Sequence, residues 1–193
     1  MLKNCHLESR AAIYPIYSGL HELERTLVEH VAKYPGIRYR ELLRMTNSSN
    51  GVLSYHLAEL EKLKFIRADR RKSMTRYYLI NVPSEVSKVI AFTKTSTAKQ
   101  ILSFMVNNGP VTFDEICKIT QRCQSTIFWH LKRMLGDRVI VKTQPKVDSN
   151  IINKSTYYDV YDRALVSEVL NGHEETFTDR VVNNYSQIID ELF

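Results

Sequence analysis

Residues 49–80 read SNGVLSYHLAELEKLKFIRADRRKSMTRYYLI. Leu53, Leu57, Leu60 and Leu63 recur at helical spacing, so the stretch opens as a helix with one apolar face. Ser48 or Ser49 can cap it, because a serine hydroxyl accepts an N–H that the first turn leaves orphaned. Phe65–Asp69 then reads as a strand, Arg70-Arg71-Lys72-Ser73 as a basic turn and Thr75–Ile80 as a Tyr-rich strand. Upstream, Leu20, Leu23, Leu27 and Val31 mark a first helix that Pro35-Gly36 stops. A short second helix runs from about Tyr39 to Arg44, and Thr46-Asn47-Ser48-Ser49 makes a tight polar turn.

The pattern occurs twice. Leu27–Ala68 lies over Ile101–Lys142 without a gap at an offset of 74, the difference between His130 and His56. Leu27 meets Ile101, Val31 Met105, Leu42 Ile116, Met45 Ile119, Leu53 Ile127 and Leu60 Met134. Glu41/Glu115, Thr46/Thr120 and His56-Leu57/His130-Leu131 are identical. Thr112-x-x-Glu115 reads as a capping box, a third helix runs from about Gln124 to Leu135, and a hairpin spans Val139–Val160. Tyr77-Tyr78 finds an echo in Tyr157-Tyr158 at an offset of 80, so about six extra residues separate the last two strands of copy two.

Helix, helix, turn, helix and hairpin is the order of a winged helix-turn-helix. SNGVLSYHLAELEKLKFI followed by RYYL resembles the third helix and wing of ArsR/MarR-like regulators, and QSTIFWHLKRM…VIV is similar but looser. The family usually has a small residue or Gly before the strand, where this sequence has Lys64 and Arg138. The resemblance implies a tandem winged helix-turn-helix transcriptional regulator of archaeal type. The expected fold is α+β: mainly α with small β-hairpin wings, two tandem domains and a C-terminal helix. Residues 1–19 form an N-terminal arm, 20–82 the first domain, 83–94 a linker helix, 95–162 the second domain and 163–193 C-terminal helices for dimerisation.

Charge points the same way. The 193-residue chain is 44% hydrophobic and 25% charged, which excludes a mostly disordered or fibrous protein. Its net charge of +6 is concentrated: Lys62–Arg76 holds seven basic residues against Asp69. Ser155–Phe193 holds eight acids against two arginines. A basic focus on a folded body is an electrostatic footprint for a polyanion. No apolar run reaches the ~18–20 residues of a membrane span, and Pro15 interrupts the only patch that could serve as a secretory signal.

With the leucines buried, Ser49, Asn50, Gly51, Ser54 and Tyr55 face outward near the start of the third helix. Asn bonds adenine bidentately, hydroxyls reach bases or phosphates, and Gly51 permits close approach. Arg67, Arg70, Arg71, Lys72 and Arg76 on the wing, with Arg38 and Arg40 at the second helix, are expected on phosphates or an adjacent minor groove. Copy two offers Gln124, Ser125, Thr126, Lys132 and Arg133 on its helix and Lys146 on its wing. Phe128-Trp129, where copy one has Ser54-Tyr55, suits packing against another element or subunit. Phe177, Val181, Tyr185, Ile188 and Leu192 line one side of a final acidic helix, so a homodimer is expected.

The partner expected is double-stranded DNA, with no cofactor and no membrane. The rival reading is a protein-interaction module that docks on the transcription machinery through copy two. His56 and His130, each beside a core leucine, read as half-buried structural residues. Cys5, Cys117 and Cys123 have no CxxC or metal-ligand spacing, which favours a reducing cytoplasm, where the expected DNA binding would make the protein nucleoid-associated. No phosphate loop, HExxH or nucleophile elbow occurs, so an enzyme is not expected.

Overall fold

The computed structural model of the chain describes residues 19–71, 74–144 and 156–171. Lys72, Lys146, Cys5, His6 and the stripe Phe177, Val181, Tyr185, Ile188 and Leu192 lie outside the described residues. The architecture is α+β, and the chain divides between Pro83 and Ser84 into two compact units.

The first unit contains α1 (Glu22–Lys33), β1 (Ile37–Arg38), α2 (Tyr39–Thr46), α3 (Asn50–Lys62), β2 (Ile66–Arg71) and β3 (Met74–Leu79). The Ser49 hydroxyl accepts from the Val52 N–H at 3.4 Å and starts α3. Leu27, Val31, Leu42, Leu53, Leu57, Leu60 and Ile66 are buried, and α1 packs on α2, α3 and β3. The three antiparallel strands run β1-β3-β2, with Ile37 opposite Tyr77 and Ile66 opposite Leu79.

The second unit contains α4 (Ser84–Thr93), α5 (Ser96–Asn108), β4 (Val111–Thr112), α6 (Phe113–Thr120), α7 (Gln124–Gly136), β5 (Ile140–Thr143), β6 (Tyr157–Val160) and α8 (Arg163–Leu170). Thr112 and Glu115 close the expected capping box. The sheet repeats the first order, β4-β6-β5, and one apolar cluster runs from Val89 and Phe92 through Ile101, Ile127 and Met134 to Val166.

Several expectations are corrected. Helix α4, read as a linker, packs on α5 and α8 and buries Val89 and Phe92 in the second core. Strands β1 and β4 were not foreseen, because two residues show no periodicity. β2 continues through Arg71, so Arg70 and Arg71 are strand residues. Leu63 is 52% exposed, since α3 has ended and the chain is already turning. Met45 and Ile119, matched apolar positions, are both exposed. The strand pairing also moves the repeat by one residue: Val111 faces Tyr158 as Ile37 faces Tyr77, an offset of 81. A one-residue slip exchanges the two faces of a strand. Asp159, not Tyr158, therefore stands where Tyr78 is buried.

The αL positions do repeat at 74. Lys64 (φ 59°) and Arg138 (φ 57°) follow α3 and α7, and Asn47 (φ 49°) and Gln121 (φ 52°) follow α2 and α6. Phe65 N–H donates to Leu60 O and Lys64 N–H to Glu61 O, while Val139 donates to Met134 and Arg138 to Leu135. These are Schellman caps. A non-glycine residue holds the αL position at a cost of about 1–2 kcal/mol, and Lys64 and Arg138 both do so.

Arg76, expected on DNA, is 8% exposed, and its Nη1 donates to Gly36 O at 2.7 Å. Burial pushes its pKa down. Gly36 needs φ +76°, and a Cβ there would sit 3.0 Å from the buried Tyr78 hydroxyl, so the guanidinium closes a packed corner. Arg76→Ala leaves that carbonyl without its partner, and urea unfolding should show a loss of about 2–4 kcal/mol.

The two histidines differ in partner. His56 Nδ1 lies 3.0 Å from Glu24 Oε1, and His21 stacks on the His56 ring. Burial alone would raise the Glu24 pKa, but hydrogen bonds with His56 and the His21 N–H outweigh it and hold the carboxyl below its ordinary value. Ala98 occupies the matching place in the second unit, and His130, 6% exposed, has no hydrogen-bond partner at Nδ1 among the described residues. Burial, then the Arg133 charge, pushes the His130 pKa down. Because its folded value is depressed, its contribution is complete above the unfolded value of about 6.5 and is lost as pH falls below it. Melting temperatures should therefore fall as pH drops below about 6.5, and His130→Leu should flatten part of that fall.

Candidate nucleic-acid interface

Each residue of an α-helix turns about 100°, which sorts α3 into rows. Leu53, Leu57 and Leu60 form the buried row. Gly51, Tyr55, Ala58 and Lys62 stand opposite and are exposed, with Tyr55 at 63%. Asn50, Ser54 and Glu61 make a flanking row between the two. The Tyr39 hydroxyl lies 2.9 Å from Asn50 O, 3.4 Å from Asn50 Oδ1 and 3.0 Å from Ser54 Oγ. Asn50 and Ser54 remain exposed but are held by this phenol. Tyr39 and Ala58 escaped sequence reasoning and Lys62 entered it only through the basic segment, although the spacing of Ala58 and Lys62 from Gly51 and Tyr55 carried the signal.

Strand parity divides the basic residues of the hairpin. Ile66, Ala68 and Arg70 share one face with Leu79, Tyr77 and Thr75. Arg67, Asp69 and Arg71 share the other with Tyr78, Arg76 and Met74, and Arg38 pairs with Arg76. Arg70 Nη2 meets Glu61 Oε1 at 2.7 Å, a bond that raises the arginine's pKa. The Arg70 face is therefore the one that meets α3. Between them Tyr77 is pushed up to about 12 by burial, with Glu61 adding to the effect.

On the opposite face, Arg71 pairs with Asp69 at 3.0 Å. Arg67 donates to Val82 O at 3.0 Å and lies 5.0 Å from the centre of the Tyr78 ring. Of the expected basic set, the structure brings Arg70 to the α3 flank, leaves Arg40 exposed on α2, and separates Arg38, Arg67, Arg71 and Arg76 from that flank.

In the second unit the corresponding rows carry different chemistry. Ser125, Trp129 and Lys132 occupy the exposed row of α7, with Gln124 and Phe128 on its flank. Thr126 is partly buried. Phe128 is 61% and Trp129 52% exposed. The aromatic–histidine edge contact repeats: Tyr55 meets His56 at 5.2 Å between ring centres, and Trp129 meets His130 at 4.9 Å. Arg133 lies 4.5 Å from the centre of the Trp129 ring.

Cys123 is the N-cap of α7, with its Sγ 3.3 Å from Ser125 Oγ and 3.0 Å from Thr126 Oγ1. Hydroxyl donation from Ser125 and Thr126, with the Thr126 N–H, lowers its pKa to about 7. Burial pushes Cys117 the other way. Among the described residues no three His, Cys, Asp or Glu side chains converge to hold a metal ion, and no helix is long and apolar enough to cross a membrane.

The thiolate is the nucleophile, so depression of the pKa makes Cys123 reactive from lower pH. Its alkylation by iodoacetamide should reach half its maximal rate near pH 7, with Cys117 requiring more alkaline solution. Ser125→Ala should move the Cys123 midpoint upward, as mass spectrometry of the alkylated peptides would read. The chain matches no family model and no curated protein sequence.

Proposed function

We propose that the chain is a sequence-specific double-stranded-DNA-binding transcription regulator with two tandem winged helix-turn-helix units. In this reading α3 enters the major groove, and the β2–β3 hairpin lies on phosphates or an adjacent minor groove. The observation that carries it is the 2.7 Å Arg70–Glu61 bond. Glu61 shares a helix row with Asn50 and Ser54, so the bond sets a hairpin cation on the polar flank of α3, at its C-terminal end and about 16 Å along the axis from Asn50. Gly51 adds support: a Cβ there would meet nothing within 4 Å, so packing inside the unit does not require the glycine, while close approach to a duplex favours it.

The division of roles follows from the exposed rows. Asn50, Ser54 and Tyr55 present groups that can read base edges, whereas Lys62, Arg40 and Arg70 supply charge that does not depend on sequence. On binding, Arg70 exchanges Glu61 for a phosphate, which keeps a charge-assisted bond in both states. Pairing of two chains through Phe177, Val181, Tyr185, Ile188 and Leu192 belongs to the same proposal, and so does a cytoplasmic, nucleoid-associated location. A dimer would read half-sites about one helical turn apart.

Fluorescence anisotropy of labelled duplexes against salt tests the reading. Affinity should fall steeply with salt, and Arg70→Ala should weaken binding to every duplex while shallowing the log–log slope by about one. Asn50→Ala should instead alter preference among duplexes. A slope near zero, or an Arg70→Ala protein with wild-type affinity and slope, would refute the proposal.

A further inference from the structure

From the exposed face of α7 we infer a second activity: the second unit binds single-stranded nucleic acid by stacking unpaired bases on Trp129 and Phe128. Trp129 stands in the middle of the solvent row, half exposed, with the Arg133 guanidinium over its ring and the His130 ring against its edge. These contacts hold the indole in place before any ligand arrives. Phe128 lies one row away and is exposed. Two aromatic side chains on adjoining rows make a platform rather than a groove.

Charge selects the occupant. Helix α7 contains Lys132 and Arg133 and no Asp or Glu, whereas α3 contains Glu59 and Glu61 against Lys62. Exposed Lys118 in the last turn of α6 and Arg122 in the turn before α7 add cations at the α7 end, while the exposed acids Asp114 and Glu115 stand in the first turn of α6. A strand with unpaired bases offers both flat π-faces and phosphates, which matches aromatic rings set among cations. A duplex presents base edges in its grooves, and Phe128 has no donor or acceptor to read them. A second α7 face would bring like charges together, which disfavours self-pairing.

The inference is independent of duplex binding by the first unit, and the chain contains a single tryptophan to report it. Titrating the full chain with unlabelled oligo(dT) and oligo(U) of about 16 nucleotides should quench Trp129 emission, and comparing the two separates DNA from RNA as the source of the bases. Phe128→Ala and Trp129→Ala should each weaken binding of a labelled strand about tenfold by anisotropy, with far-UV circular dichroism and melting unchanged. Arg70→Ala, which tests the first unit, should leave the quenching intact. Three results would overturn the inference: no quenching by either strand, quenching by duplex alone, or emission that shifts with protein concentration and ignores oligonucleotide. The last would show that protein covers this face.

Discussion

The junction between α3 and β2 governs what the first unit can present. Two hydrogen bonds, Phe65 N–H to Leu60 O and Lys64 N–H to Glu61 O, end the helix with Lys64 in the αL region. A helix that ended in extended geometry would send the next strand away from its own axis. The αL residue reverses the chain instead, so β2 returns alongside the core and Ile66 is buried one residue after the cap. Strand alternation then does the rest. With Ile66 inward, Ala68 and Arg70 must share its face, and that face meets α3. The Arg70–Glu61 bond follows from the cap, and the strain of a lysine at φ 59° is part of its cost.

The second unit repeats this backbone and replaces much of what it carries. Arg138 takes the αL position with the same pair of cap bonds, and β5 returns in the same register to its partner strand. On the conserved frame Ser54 becomes Phe128, Tyr55 Trp129, Ala58 Lys132 and Glu59 Arg133. The outward face changes from polar with acidic residues to aromatic with basic ones. In the interior Glu24 becomes Ala98, which leaves His130 buried without the carboxylate that His56 has. Most core positions exchange one apolar residue for another, because a cavity or a buried charge costs several kcal/mol. Solvent-facing rows carry no such penalty, and the two copies diverge there.

Much of the fold was legible because long amphipathic helices announce themselves. The Ser49 cap ahead of Leu53, Leu57 and Leu60 and the Thr112–Glu115 box marked where α3 and α6 begin, while Leu63 fell just past the end of α3. Two-residue strands have no period to read, and Tyr77-Tyr78 over Tyr157-Tyr158 looked convincing as letters although pairing puts Tyr77 over Tyr158. The candidate site was half legible. Exposed Asn50, Gly51, Ser54 and Tyr55 follow from helical geometry. Arg67, Arg71 and Arg76 were grouped with Arg70 by sequence proximity, but alternation along a strand separates neighbours in sequence onto opposite faces. Tyr39 was missed because its contacts with Asn50 and Ser54 bridge two helices, and nothing local signals them.

Arg76 also shows why a basic cluster overstates a binding surface. The turn after α1 leaves the Gly36 carbonyl facing the interior, and the guanidinium of β3 answers it at 2.7 Å. The second unit meets a similar demand from another element. Arg163 of α8 donates to the Met105 and Val106 carbonyls at the end of α5, and its other Nη binds Asp159 at 2.8 Å. Asp159 occupies the Tyr78 position, so replacing a buried phenol with a carboxylate goes together with recruiting an arginine from the next helix. An arginine has five donors and a long apolar stem, which lets it reach orphaned carbonyls that shorter side chains cannot. Both guanidiniums therefore belong to the stability of their units, and α8 is bound to the second unit by the polar contacts of Arg163 as well as by the burial of Val166.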